Sequence, residues 1–125
     1  MGCPFCPDNW PNLDIVESAH GLATIRPLNP VTDGHVLVIS RTHTADAAVR
    51  PDIFADLAHR AAYWVQRNGI EANIITSIGA NATQTVRHTH IHVVPRRLND
   101  DLPLPWTPQQ MEQERWRRAL EGAQD

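Results

Sequence analysis

The sequence predicts an α+β domain: an antiparallel sheet of about five strands with one long helix and a C-terminal helix. Three observations predict it. Short β-rich runs follow one another closely, a single long run keeps helical spacing, and turn residues punctuate the chain between them. At 125 residues the chain fits one domain, 1–125, with room for one hydrophobic core.

The first dozen residues are rich in Pro and Asn and read as a loop. Asp14–Glu17 and Gly21–Arg26 read as two short strands. Residues 27–34 hold two prolines, Asn29, Asp33 and Gly34, which is turn chemistry. His35–Ile39 is a compact β-rich run and reads as a strand, followed by a loop over 41–50. A helix should begin at Pro51, a good first-turn residue, with Asp52 favouring the dipole. Phe54, Leu57, Ala58, Ala61 and Val65 keep helical spacing, and Gly69 ends the run. Ala72–Ile78 is the next strand, 79–83 a polar loop, and Thr85–Pro95 a strand with strict alternation. After an irregular stretch over 99–106, Thr107-Pro108 caps a last helix to about Leu120, with Met111, Trp116 and Leu120 as its packed side.

Composition narrows the function classes. A net charge of −3 argues against a general nucleic-acid binder, so no duplex partner is expected. All 11 basic side chains are Arg, which excludes Schiff-base chemistry and a P-loop lysine. Any phosphate must be held by Arg, His, hydroxyls or backbone N–H groups. The N-terminus lacks the basic and apolar regions of a secretory signal, and no apolar run approaches the ~20 residues of a membrane span. The chain reads as cytoplasmic, with no membrane partner. In that reducing compartment the pair Cys3-Pro4-Phe5-Cys6 suggests metal or redox chemistry more than a disulfide. Two thiolates at this spacing suit a tetrahedral zinc site that needs two further ligands. A chance pair or a redox motif remains open on spacing alone.

The chemistry concentrates in His88-Thr89-His90-Ile91-His92. On a strand, residues two apart point the same way, so the three histidines share one face opposite Thr89, Ile91 and Val93. Imidazoles make a poor apolar core, because each ring carries two nitrogens that need partners once water leaves. The run reads as a solvated polar face, as a set of metal ligands, or as a nucleophile with supporting histidines. In the third reading a neutral imidazole attacks phosphorus, and a neighbouring carbonyl such as that of His88 fixes the tautomer that exposes the lone pair. Arg96 shares the histidine parity and is a candidate phosphate contact, whereas Arg87 and Arg97 alternate away from it. His20 and His59 stand in no motif. Trp64 and Trp116 read as packing or dimer residues, and Trp106 as either a core cap or an edge of the site.

The segment Gln84-Thr85-Val86-Arg87-His88-Thr89-His90-Ile91-His92-Val93-Val94-Pro95-Arg96 resembles the signature of the histidine triad (HIT) superfamily, three histidines alternating with apolar residues. Thr89 is a mild departure at the first apolar position. Leu28 to Ile39 resembles the upstream strand of that family with its Gly-His step, and Cys3–Cys6 resembles the start of its bacterial zinc-containing members. The resemblance runs from Cys3 to about Trp106 and implies a HIT-like fold. It implies that His90 is the nucleophile, that His92 contacts phosphate and assists the leaving group, and that His88 and His35 orient and support the nucleophile. It places Gln84 and Thr85 near the phosphates, and Leu28 and Asn29 at the base and ribose pocket. Ser77 stands where Asn is common, Thr83 where Gly is common, and Pro27 where Asp or Asn meets the ribose.

The implied zinc set is Cys3, Cys6, His43 and His88. The implied activity is hydrolysis or transfer at the α-phosphate of dinucleoside polyphosphates, nucleoside phosphoramidates or adenylates, by a homodimer. The rival readings are a nucleotide-binding protein that barely turns over, and a metal-dependent hydrolase with the three histidines as ligands.

Overall fold

The computed structural model describes residues 2–106 and 108–123. Five strands form one antiparallel sheet: β1 (Asp14–Ala19), β2 (Leu22–Arg26), β3 (Val36–Ser40), β4 (Ala72–Ile75) and β5 (His90–Pro95). Their order is β1-β2-β3-β5-β4, so the histidine-bearing β5 lies inside the sheet and is paired on both sides. Helix α1 (Pro51–Asn68) connects β3 to β4, and α2 (Pro108–Ala123) follows the sheet. This is the α+β architecture expected from the sequence. Among the described residues no helix is long and apolar enough to cross a membrane.

Alternation along the strands sorts the two faces. Val36, Val38, Ile91 and Val93 point to one side, where Leu57 and Ala61 of α1 seal them into a buried cluster with Trp64 packed at its margin. Leu37, Ile39, Ala23 and Ile25 point to the other side, against Phe5, Trp10 and Leu13 of the N-terminal segment and Ile15 of β1. That segment covers only part of the second face. The remainder, over β5 and β4, lies open as a cavity.

α1 begins at Pro51 and ends at Gly69 in the left-handed region, φ 59°. The Gly69 and Ile70 amides bond back to the Gln66 and Val65 carbonyls, a Schellman closure that glycine adopts without strain. Gly34, just before His35, has φ 86°, and a Cβ there would stand 3.2 Å from Pro95 Cγ. The Gly-His step therefore lets the chain enter β3 close against β5.

Four expectations need correction. The strand read over Thr85–Pro95 starts only at His90, because side-chain bonds replace the ladder upstream. The Gln84 amide donates to the Ala45 and Val86 carbonyls and accepts from the Gly79 N–H, while Thr89 N–H and hydroxyl both donate to the Thr44 carbonyl. The strand read over Ala72–Ile78 ends at Ile75, and Pro7–Asn12 winds into a 3-10 turn rather than an open loop. On α2 the side expected to pack is open, with Trp116 and Leu120 each 64% exposed. The two buried clusters of the sheet are already covered by α1 and by the N-terminal segment. Thr107, read as the α2 cap, lies outside the described residues, as does the Met111 side chain.

Candidate active site

Cross-strand pairing sets His90 opposite Ile39 and His92 opposite Leu37, so both imidazoles stand on the face that carries the N-terminal segment. His35, just ahead of β3, reaches the same face diagonally. Its ring lies 5.2 Å from that of His92, and the His92 ring lies 5.1 Å from that of His90. Strand alternation alone puts His88 in the same row. The structure instead leaves it ahead of β5, fully buried, with its ring turned to the N-terminal cysteines.

Hydrogen bonds to groups of fixed polarity assign each tautomer. His90 Nδ1 lies 2.7 Å from the His88 carbonyl, which can only accept, so Nδ1 carries the proton and Nε2 the lone pair. The Val31 N–H can only donate and bonds to His35 Nδ1 at 3.1 Å, so His35 carries its proton on Nε2. That proton is donated to His92 Nδ1 at 3.0 Å, which leaves the His92 proton on Nε2. Adjacent rings therefore present opposite polarity: a bare nitrogen on His90 and an N–H on His92. Burial lowers the pKa of His90 and of His35. Burial first, then the neighbouring His90 and His35, pushes His92 down to about 4. All three are neutral at pH 7.

His88 is oriented by the same logic. Its Nε2–H donates to the Ser40 carbonyl at 2.7 Å, so the Nδ1 lone pair faces Cys3 Sγ at 3.2 Å, Cys6 Sγ at 3.6 Å and His43 Nδ1 at 3.2 Å. Cys6 Sγ lies 3.4 Å from His43 Nδ1. Among the described residues these four offer one ligand atom each, all within 4.8 Å of one another, and form a possible metal site. Burial, then the adjacent Cys3, raises the Cys6 thiol pKa, a penalty that a bound cation reverses.

A cavity of about 480 Å³ opens over His90, His92 and His35. Ser77, Thr83, Gln84 and Thr85 border one side, and Ile75, Val94 and Leu102–Leu104 supply apolar wall. Of the residues expected at the nucleotide, Ser77, Gln84 and Thr85 border this space, although the Gln84 amide is engaged by the backbone bonds described above. Leu28, 98% exposed, and the exposed Asn29 do not border it, and Val31 does so from that segment. Arg96 borders the cavity but is held by Asp100, Asn73 and the Leu102 carbonyl. Arg97 binds Thr32 and the Asp33 carbonyl. Trp106 is 66% exposed.

The His88 carbonyl was legible in the sequence as the neighbour that fixes the His90 tautomer, and His90 Nδ1 meets it at 2.7 Å. The carbonyl of Ser40 and the amide of Val31 carried no signal, because they act through the backbone, which residue identity does not report. Phe5 packs against both His88 and His90, and its only hint was its place between two cysteines. Thr89, unusual for an apolar position, has its hydroxyl 2.6 Å from that of Thr44, so the departure has a partner.

Comparisons with known proteins agree with this fold. The crystal structure of a zinc-bound histidine triad family protein from Mycobacterium smegmatis is 34% identical, with 98% of each chain covered and a TM-score of 0.70. An adenosine 5′-monophosphoramidase of Saccharomyces cerevisiae is 28% identical over 102 residues, covering 76% of this chain and 63% of that protein. An adenylylsulfatase of Arabidopsis thaliana is 30% identical over 109 residues, covering 80% of this chain and 55% of that protein. The HIT domain family matches residues 13–99, most of the chain and all five strands, and this protein belongs to that family.

Proposed function

We propose that the chain is a nucleotidyl hydrolase or transferase that attacks the α-phosphate of nucleoside 5′-phosphate derivatives through His90. The observation that carries this reading is the opposed polarity of two neighbouring rings. A lone pair on His90 Nε2 and an N–H on His92 Nε2 face one cavity. Phosphorus needs a nucleophile, and its oxygens need donors. Thr83, Thr85 and Ser77 add hydroxyls at the cavity edge. The relatives named for phosphoramidate and adenylyl sulfate chemistry act on nucleotides, which supports this substrate class.

The step balances without a cation. The His90 Nε2 lone pair forms the N–P bond as the bond from phosphorus to the leaving group breaks, and the leaving group departs with its electron pair. The developing imidazolium keeps its Nδ1 proton on the His88 carbonyl. His92 is neutral, so it donates a hydrogen bond to a phosphate oxygen rather than a proton, and water protonates the leaving group. A second water then attacks phosphorus and gives its proton to the hydroxide left by the first, the N–P electron pair returns to His90 Nε2, and a nucleoside 5′-monophosphate leaves. The rival with three histidines as ligands finds less support. Among the described residues the gathered ligand set includes His88 but neither His90 nor His92.

The four-residue cluster fits zinc. A tetrahedral ion with Zn–S of ~2.3 Å and Zn–N of ~2.0–2.1 Å sets its ligand atoms about 3.3–3.8 Å apart. Separations of 3.4 and 3.6 Å fall in that range, and the two of 3.2 Å lie just below it. We read the ion as structural. It would tie the N-terminal segment to the loop before β5 and supply folding free energy. The reading also takes the chain as a homodimer, supported by the open edge of β4, where Ile74 is 44% exposed.

Three outcomes are expected. His90→Ala should lose turnover of adenosine 5′-phosphoramidate by a factor on the order of 10⁴ while binding AMP within a fewfold of wild type. Retained turnover would remove His90 from the chemistry, and wild type inert toward both phosphoramidates and adenylates would favour the low-turnover binder. In ¹⁵N-detected NMR, His92 should stay neutral until about pH 4. An unfolded histidine binds its proton near pH ~6.5, so the unfolded state gains protons first on acidification. Stability should therefore fall from pH ~6.5 toward 4, and titration of His92 near 6.5 would contradict the relay. Native mass spectrometry should show two chains per particle and one zinc per chain, with zinc lost and the melting temperature lowered in Cys6→Ser. A wild-type chain free of zinc and indifferent to chelators would contradict the metal assignment.

A further inference from the structure

Phe5 lies between the metal cluster and the cavity. Its ring meets His90 at 5.2 Å in a T-shaped contact with an interplanar angle of 71°, and meets His88 at 6.1 Å and 90°. The same ring packs on Ala23, Ile25, Leu37 and Ile39 beneath the N-terminal segment. Phe5 is itself fixed on both sides. Its N–H points to Cys3 Sγ at 3.3 Å, and its carbonyl accepts from Trp10 Nε1 at 2.9 Å. The backbone that sets its position is thus the Cys3–Cys6 loop.

We infer that Phe5 is a positioning residue for the proposed nucleophile: its flat ring blocks rotation of the His90 imidazole away from the His88 carbonyl, and the Cys3–Cys6 loop holds it there. This rests on the proposed role of His90. The hydrogen bond at His90 Nδ1 holds one edge of the imidazole, and a swing of the ring about its side-chain bonds would break it. Across the sheet, His90 pairs with Ile39 of β3. Two rings flank the imidazole, His92 at 5.1 Å and Phe5 at 5.2 Å, so the alignment of the nitrogen that must meet phosphorus depends in part on a residue 85 positions away in sequence from His90. A T-shaped aromatic contact is a directional restraint that an aliphatic side chain of similar volume does not reproduce. The arrangement also gives the metal cluster a route to the chemistry that involves no metal–substrate contact: its loop carries the ring that aligns His90.

The test compares Phe5→Leu and Phe5→Tyr with wild type, each loaded with zinc and checked for metal content by native mass spectrometry. Leu keeps apolar packing and removes the flat ring, whereas Tyr restores the ring. Phe5→Leu should keep its zinc and its KM for adenosine 5′-phosphoramidate within about twofold, while kcat falls about three- to tenfold, the range a T-shaped contact spans. The His90 Nδ1–H NMR signal should broaden through faster exchange with water, and Phe5→Tyr should recover both kcat and that signal. Wild-type kcat in zinc-loaded Phe5→Leu would overturn the inference, as would equal loss in both variants. A loss reversed fully by added zinc would also overturn it, since Phe5 would then act only through metal retention. The NMR signal reads the position of His90 without turnover, so it distinguishes failure of this inference from failure of the proposed catalytic role, which His90→Ala tests separately.

Discussion

The site depends on one hydrogen bond, from His90 Nδ1–H to the His88 carbonyl at 2.7 Å. It fixes where the proton sits on His90, and so which nitrogen faces the cavity with a lone pair. The carbonyl belongs to a residue whose own ring is tied at both ends, to the Ser40 carbonyl and to the cysteine cluster. Thr89, next in sequence, is bonded to Thr44 through both its amide and its hydroxyl. The acceptor for the His90 proton is therefore anchored from three directions before the chain enters β5.

Sheet order explains how the remaining groups meet. Because β5 inserts between β3 and β4, His92 lies beside β3, where His35 arrives from the turn that ends at Gly34. The Val31 amide starts a chain of polarity that ends in an N–H on His92, two residues from a bare nitrogen on His90. Burial holds all three rings neutral. Neutrality suits the cavity, because Arg96, the one cationic side chain among its described lining residues, is already bound to Asp100. Phosphate would be met by N–H and hydroxyl donors, in keeping with a chain that contains no lysine.

Much of the fold was legible in the sequence because periodicity and turn chemistry are local. Leu57 and Ala61 repeat at helical spacing, Gly69 closes α1 in the left-handed region, and His90 and His92 alternate with the buried Ile91 and Val93. The strand starting at His90 rather than Thr85 was not legible, because it depends on where the Gln84 and Thr89 side chains find partners some 40 residues away. The same long-range contacts break the single row of histidines. Alternation cannot say that His88 leaves the strand, nor that its ring turns to Cys3 and Cys6. Trp116 and Leu120 looked like a packed stripe because the pattern on a helix says which residues share a side, not whether anything covers that side.

The central claim is that His90 Nε2 becomes covalently bound to phosphorus during turnover. Intact-protein mass spectrometry after an acid-free quench, with an adenosine 5′-phosphate derivative carrying a good leaving group, tests it most directly. The account predicts a mass increase of one adenylyl group, located on the peptide containing His90 and absent from His90→Ala. Full turnover with no adduct at any quench time, and inversion of configuration at a chiral phosphorus, would contradict it by showing that water attacks the substrate directly.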